Sequence, residues 1–115
     1  MKIILIKPGP RMSQTVVHGN TVHTAGQIAD DFDADVITQT QQVLAKIDSL
    51  LDEAGTDKSG ILKATIWLAD ISHFNEMNSV WDAWVDKDNP PVRACVESKL
   101  AFPELLVEIQ VEAAK

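Results

Sequence analysis

Cysteine occurs once in 115 residues, at Cys95, which excludes an internal disulfide or a cysteine cage around zinc. A lone thiol fits a reducing compartment, so a cytoplasmic location is expected. Arginine occurs only at Arg11 and Arg93. Seventeen acids stand against ten bases, a formal charge of −7, so no positive field tracks phosphates and nucleic acid is not an expected partner. Long apolar runs are missing too. The N-terminal stretch Ile3 to Ile6 is too short for a signal-peptide core or a membrane span, and no membrane contact is expected. What is present, 45% hydrophobic and 23% charged residues, is the composition of a folded domain with a real core. The length suits one domain over residues 1–115, without repeats or linkers.

Ile3 to Ile6 reads as a strand stopped by Pro8-Gly9-Pro10. Thr15–His18 and Thr21–Thr24, separated by Gly19-Asn20, read as a tight hairpin. Val36, Thr40, Val43, Leu44, Ile47, Leu50, Leu51 and Ala54 form the stripe of an amphipathic helix ended by Gly55. Leu62, Ala64, Ile66 and Leu68 alternate with Lys63, Thr65 and Trp67, a strand with one apolar face. Ser72 is placed to cap a second helix with Phe74, Met77, Trp81, Trp84 and Val85 inward, and Pro90-Pro91 forbids its continuation. Strands near Arg93–Lys99 and Leu105–Ala113 complete the chain as a closing hairpin. The fold class is α+β: a mainly antiparallel sheet with two helices on one face. The other face must be polar or meet another subunit.

The closing hairpin concentrates the chemistry. A turn near residues 101–102 would set Cys95 opposite Glu108 and Arg93 diagonal to Glu108 on one sheet face. Such a pair reads either as a surface ion pair or as a site in which Arg93 forks onto a ligand carboxylate while Glu108 holds or deprotonates a water. Cys95 reads as a small hydrophobe or, with a nearby base, a nucleophile. His18, His23 and His73 lack metal-ligand spacing. Asp31, Asp33 and Asp35 imitate a calcium loop, but Val36 and Gln42 stand where glycine and glutamate are needed, so no metal is expected. Gly26 belongs to no phosphate-cradling pattern, and no nucleophile elbow exists. The tryptophan stripe reads as core, and Asn78 as a solvated or site-lining side chain.

The segment Pro91-Val92-Arg93-Ala94-Cys95-Val96-Glu97 with the later Val107-Glu108-Ile109 resembles the signature of the RidA (YjgF-type) reactive-intermediate deaminase family. Gly19-Asn20 and Thr24-Ala25-Gly26-Gln27-Ile28 are similar to its hairpin and Ser-Gly-Gln segments, and Asn78 falls where members carry a helical asparagine. The texture around Trp81-Asp82-Ala83-Trp84-Val85 is nearest the YoaB-like branch. The resemblance implies a chorismate-mutase-like fold, three chains assembled around a sheet barrel, and ligand sites between subunits. It implies that Arg93 binds a substrate carboxylate and Glu108 positions the hydrolytic water, with Cys95, Gly26, Ala25 and Asn78 lining the site. The implied reaction is cofactor-free hydrolysis of small 2-imino acids, formed from 2-aminoacrylate-type enamines, to 2-keto acids and ammonia. 2-Iminobutyrate is one such substrate. Ala25 replaces a serine and Met12 a tyrosine of the archetype, so two hydroxyls are missing. The alternative from another class is a non-catalytic trimeric binding module for small carboxylate metabolites.

Overall fold

The structure is a computed structural model that describes residues 2–115. Strand β1 (Ile3–Pro8) pairs antiparallel with β2 (Ser13–His18), which turns through Gly19-Asn20 into β3 (Thr21–Thr24). Gly19 has φ 61°, as the first central position of a type II′ turn requires, so the glycine is what permits the two-residue loop. Helix α1 (Val36–Ala54) starts where the Asp35 carboxylate accepts the Thr38 amide at 2.9 Å. It stops at Gly55, whose φ of 86° closes the helix in the left-handed conformation. Strand β4 (Ile61–Leu68), helix α2 (Phe74–Trp84), β5 (Val92–Glu97) and β6 (Val107–Ala114) follow. Asp70, rather than Ser72, caps the entry to α2, through a short 3-10 turn at Ile71–His73.

The strand order is β1-β2-β3-β6-β4-β5. Here the closing hairpin is corrected: β5 and β6 do not pair, because β4 lies between them, antiparallel to β6 and parallel to β5. The physical reason lies in β6. Val107, Ile109, Val111 and Ala113 are all buried, and an apolar face of that length is satisfied at the sheet centre rather than in a peripheral hairpin. The path β4-α2-β5 supplies the helical crossover that parallel neighbours need. The chain between β5 and β6 then spans the end of β4, with Ser98 donating to the Leu68 carbonyl at 2.9 Å and Ala69 to the Leu106 carbonyl at 3.1 Å.

Both helices cover one face of this mixed sheet, and the core lies between. Val43, Ile47, Leu51 and Met77 from the helices meet Ala64, Ile66, Val107 and Ile109 from the strands, all fully buried. Each buried large aliphatic side chain contributes about 1.5–3 kcal/mol. Leu62 is not among them. A bulge between Ile61 and Lys63 shifts the alternation by one, so Ile61 is buried and Leu62 is 53% exposed. Gln39, fully buried, donates to the Ala34 and Glu104 carbonyls and accepts from the Leu106 amide, tying α1 to the approach of β6. The uncovered face carries Lys63, Thr65 and Trp67 of β4 beside Glu108, Gln110 and Glu112 of β6. Apolar side chains remain exposed on the edge strands, Ile3 and Leu5 on β1 and Val92 and Val96 on β5. No described helix is long and apolar enough to cross a membrane.

Candidate functional site

Arg93 aligns with the fully buried Ala64 across the parallel β4–β5 pair, so it points to the helix-bearing face. There its Nη1 donates to Asn78 Oδ1 at 2.8 Å, and its guanidinium lies 5.3 Å from the Trp81 ring centre and 5.9 Å from that of Phe74. Phe74, Asn78 and Trp81 recur at helical spacing, which is why one face of α2 can hold a single guanidinium. No carboxylate among the described residues pairs with Arg93. A half-buried guanidinium stacked on an indole, with one donor engaged and no counter-ion, is set up to take an external carboxylate in a two-pronged grip.

Cys95 shares this face, aligned with Ile66. Its thiol is pushed up by burial, partly offset by the charge of Arg93, so it is held as a thiol and not as a nucleophilic thiolate.

Glu108 aligns with Trp67 across β4–β6, out of phase with the buried Val107 and Ile109, so it stands on the uncovered face. The expected diagonal contact between Arg93 and Glu108 on one face is therefore corrected: within one chain they lie on opposite faces, with β4 between. A correct reading needs the strand order, because each strand's own period-two pattern says nothing of which strand is its neighbour.

The Ala25–Gln27 segment runs beside Glu108. Gln27 donates to the Ile109 carbonyl at 2.8 Å and accepts from the Ile109 amide at 3.2 Å, pinning this segment to β6. Ala25 donates to the Gln14 carbonyl at 2.8 Å. At Gly26 a Cβ would overlap Glu108 Oε2, so any larger residue there would push this carboxylate out of its present position. Loss of surrounding water pushes the Glu108 carboxyl above its ordinary value. A cavity of about 160 Å³ opens at the carboxylate, lined by Trp67, Ser98, Lys99, Leu100, Ala101 and Glu108.

A larger cleft of about 480 Å³ lies between β1–β2 and α1, but its lysines are already engaged, Lys7 with Glu53 at 2.8 Å and Lys46 with Asp30 at 2.7 Å. Met12 and Arg11 are exposed in the turn between β1 and β2.

One chain thus presents a guanidinium without a counter-ion on one face and, on the other, a desolvated carboxylate packed beside Gly26. A family model described as Endoribonuclease L-PSP matches residues 5–115. The RutC family protein YoaB of Escherichia coli K12 is 44% identical over 114 residues, covering 99% of each chain. The crystal structure of NMB1025 from Neisseria meningitidis, a member of the YjgF protein family, superposes with a TM-score of 0.97 at 42% identity, covering 100% of this chain and 96% of that one.

The chain belongs to the YjgF family.

A more distant YjgF-family structure, Rv2704 of Mycobacterium tuberculosis, retains the fold at 29% identity with a TM-score of 0.90, covering 99% of this chain and 100% of that one. The α+β class and the two-helix layer expected from the sequence are those of the YjgF structures. Three side chains of the site were invisible in the sequence of this YjgF protein. Trp81 is core as the sequence suggests and also flanks Arg93, Phe74 is 38% exposed rather than core and flanks the same guanidinium, and Trp67 was a strand residue without a role. The one usable signal was Trp67 itself, a large aromatic on the polar phase of β4.

Proposed function

We propose that the protein hydrolyses small 2-imino acids to 2-keto acids and ammonia without a cofactor, in sites shared between the copies of a homotrimer. The observation that carries this reading is the unpaired, stacked Arg93 together with the desolvated Glu108 on the opposite sheet face. Two such groups can act on one small molecule only if different copies supply them. The exposed apolar side chains of the edge strands offer the surface for such assembly.

In this reading the Arg93 guanidinium of one copy binds the substrate carboxylate, and Glu108 of the next holds a water against the imine carbon. Glu108 takes a proton from the water as its oxygen bonds to the carbon of the protonated imine, giving a tetrahedral amino alcohol. Glu108 returns that proton to the nitrogen, then takes the hydroxyl proton as the carbon–oxygen double bond forms and the carbon–nitrogen bond breaks, and ammonia leaves the 2-keto acid. Orientation supplies most of the acceleration, and general-base help adds about a hundredfold to ten-thousandfold. Asn78 holds Arg93 in place, and backbone at Gly26, Ala25 and Cys95 lines the site. A thiol at Cys95 and a methyl at Ala25 leave Glu108 as the acid–base group. The net charge of −7 supports a small-molecule site better than a phosphate track.

The test generates 2-iminobutyrate in situ with an amino-acid oxidase and follows 2-ketobutyrate or ammonia release. Arg93→Ala and Glu108→Ala should each lose at least a hundredfold in kcat/KM. An Arg93→Ala protein that clears 2-iminobutyrate as fast as the parent overturns the assignment. Saturable 2-ketobutyrate binding without turnover in the parent would instead identify a binding module, the outcome that the missing hydroxyls at Ala25 and Met12 favour.

A further inference from the structure

The carboxylate clamp and the water leave one part of the site without a role, the cavity beside Glu108. Its volume of about 160 Å³ is well below the roughly 300–1,000 Å³ that encloses a drug-sized ligand, so it suits a small fragment of a molecule. Trp67 is the largest residue in its lining. The alternation of β4 buries Ile66 and Leu68 on the helix face and turns Trp67 outward, between Val96 of β5 and Glu108 of β6. Residues directly opposite on paired strands have Cβ atoms about 4.5–5.5 Å apart, so the indole and the carboxylate are immediate neighbours. Leu100 and Ala101 from the loop before β6 form another part of the lining, and exposed Lys99 stands at the rim.

A 2-imino acid carries three substituents on its reacting carbon: carboxylate, nitrogen and side chain. If Glu108 delivers water to that carbon and Arg93 holds the carboxylate, the side chain has to lie near Glu108 as well. We propose that Trp67 is the specificity-determining residue, walling a pocket that receives the substrate's side chain and admits short, unbranched groups while rejecting branched and aromatic ones. The preferred substrates are then imines of the size derived from alanine or 2-aminobutyrate. This inference deepens the deaminase reading and rests on it. Rigid indole walls discriminate by overlap, and in a cavity of about 160 Å³ it is the branched or aromatic side chain that overlaps them.

The experiment compares imines generated by an amino-acid oxidase from 2-aminobutyrate, leucine and phenylalanine, using the parent, Trp67→Phe and Trp67→Ala proteins. The parent should favour the 2-aminobutyrate imine over the phenylalanine imine by at least tenfold in kcat/KM. Trp67→Ala should narrow or invert this ratio, with Trp67→Phe between. An unchanged ratio in a Trp67→Ala protein that keeps the parental oligomeric state by light scattering overturns the proposal. If Trp67→Ala fails to assemble, the ratio in Trp67→Phe decides, and an unchanged value there is equally fatal. Should the parent hydrolyse no imine, the deaminase reading fails separately. Calorimetric binding of 2-ketobutyrate against phenylpyruvate then tests the pocket, and an identical preference in parent and Trp67→Phe refutes the role of Trp67.

Discussion

At the residue scale, Glu108 is shaped by what surrounds it: the Trp67 indole in register on β4 and the bare backbone of Gly26 against its Oε2. Burial raises its proton affinity, so the folded chain binds this proton more tightly than the unfolded one. Its contribution to stability is present below the unfolded value and is lost as the pH rises through the higher folded value. Glu108→Gln removes that loss, so the variant should be at least as stable as the parent to urea at neutral pH while kcat falls about a hundredfold to ten-thousandfold. In the parent, the acid limb of kcat/KM should fall at a pH above the ordinary glutamate range, because the base works only when deprotonated. A pH-rate profile checks this, and an acid limb in the ordinary range would argue against Glu108 as the base. The residue types of the site, an arginine and a glutamate in motifs of fixed spacing, were readable in the chain. Of their surroundings, Gly26 was named with the family segment, whereas Trp67 and Trp81, from two other segments, were given no place beside them.

At the scale of elements, α2 does more than cover the sheet. One of its faces presents Phe74, Asn78 and Trp81 to β5, and this seat holds Arg93 in a single orientation. Asn78 is the sensitive point, since its Oδ1 accepts from Nη1 at 2.8 Å without carrying a charge. Asn78→Asp would give Arg93 a permanent internal counter-ion that competes with the substrate carboxylate. KM should rise roughly tenfold to a hundredfold, the range expected when a charged hydrogen bond must be displaced, with kcat changed much less. Steady-state kinetics of this variant beside Asn78→Ala separates the charge effect from loss of the hydrogen bond. Elements were also where sequence reading fared unevenly. The body and end of helix α1 were legible, because its stripe and the stop at Gly55 are local signals, while the structure singled out Asp35 as the cap. The phase of β4 was misread at Leu62, because a bulge is set by the partner strand and leaves no mark in the alternation.

At the scale of the molecule, Arg93 and Glu108 on opposite sheet faces make a single copy half a site under the proposed function. Mixing has a direct consequence. Co-assembled Arg93→Ala and Glu108→Ala chains should regain a measurable fraction of parental activity, because an intact Arg93 from one and an intact Glu108 from the other can meet at an interface. Either variant alone should stay inactive, and absence of rescue in verified mixed assemblies would argue for a site within one chain. A trimer would carry three times the −7 of each chain, so selection of an anionic substrate falls to local contacts within the roughly 8 Å Debye length. By itself the sequence determined the α+β class, the stripe of α1 and its stop at Gly55, the hairpin at Gly19-Asn20 and the family motifs, since all of these rest on short-range periodicity and turn chemistry. Only the tertiary structure decided that β4 runs between β5 and β6, and hence that Arg93 and Glu108 face apart. Strand neighbours are chosen by how long-range apolar faces pack, and no local pattern records that choice.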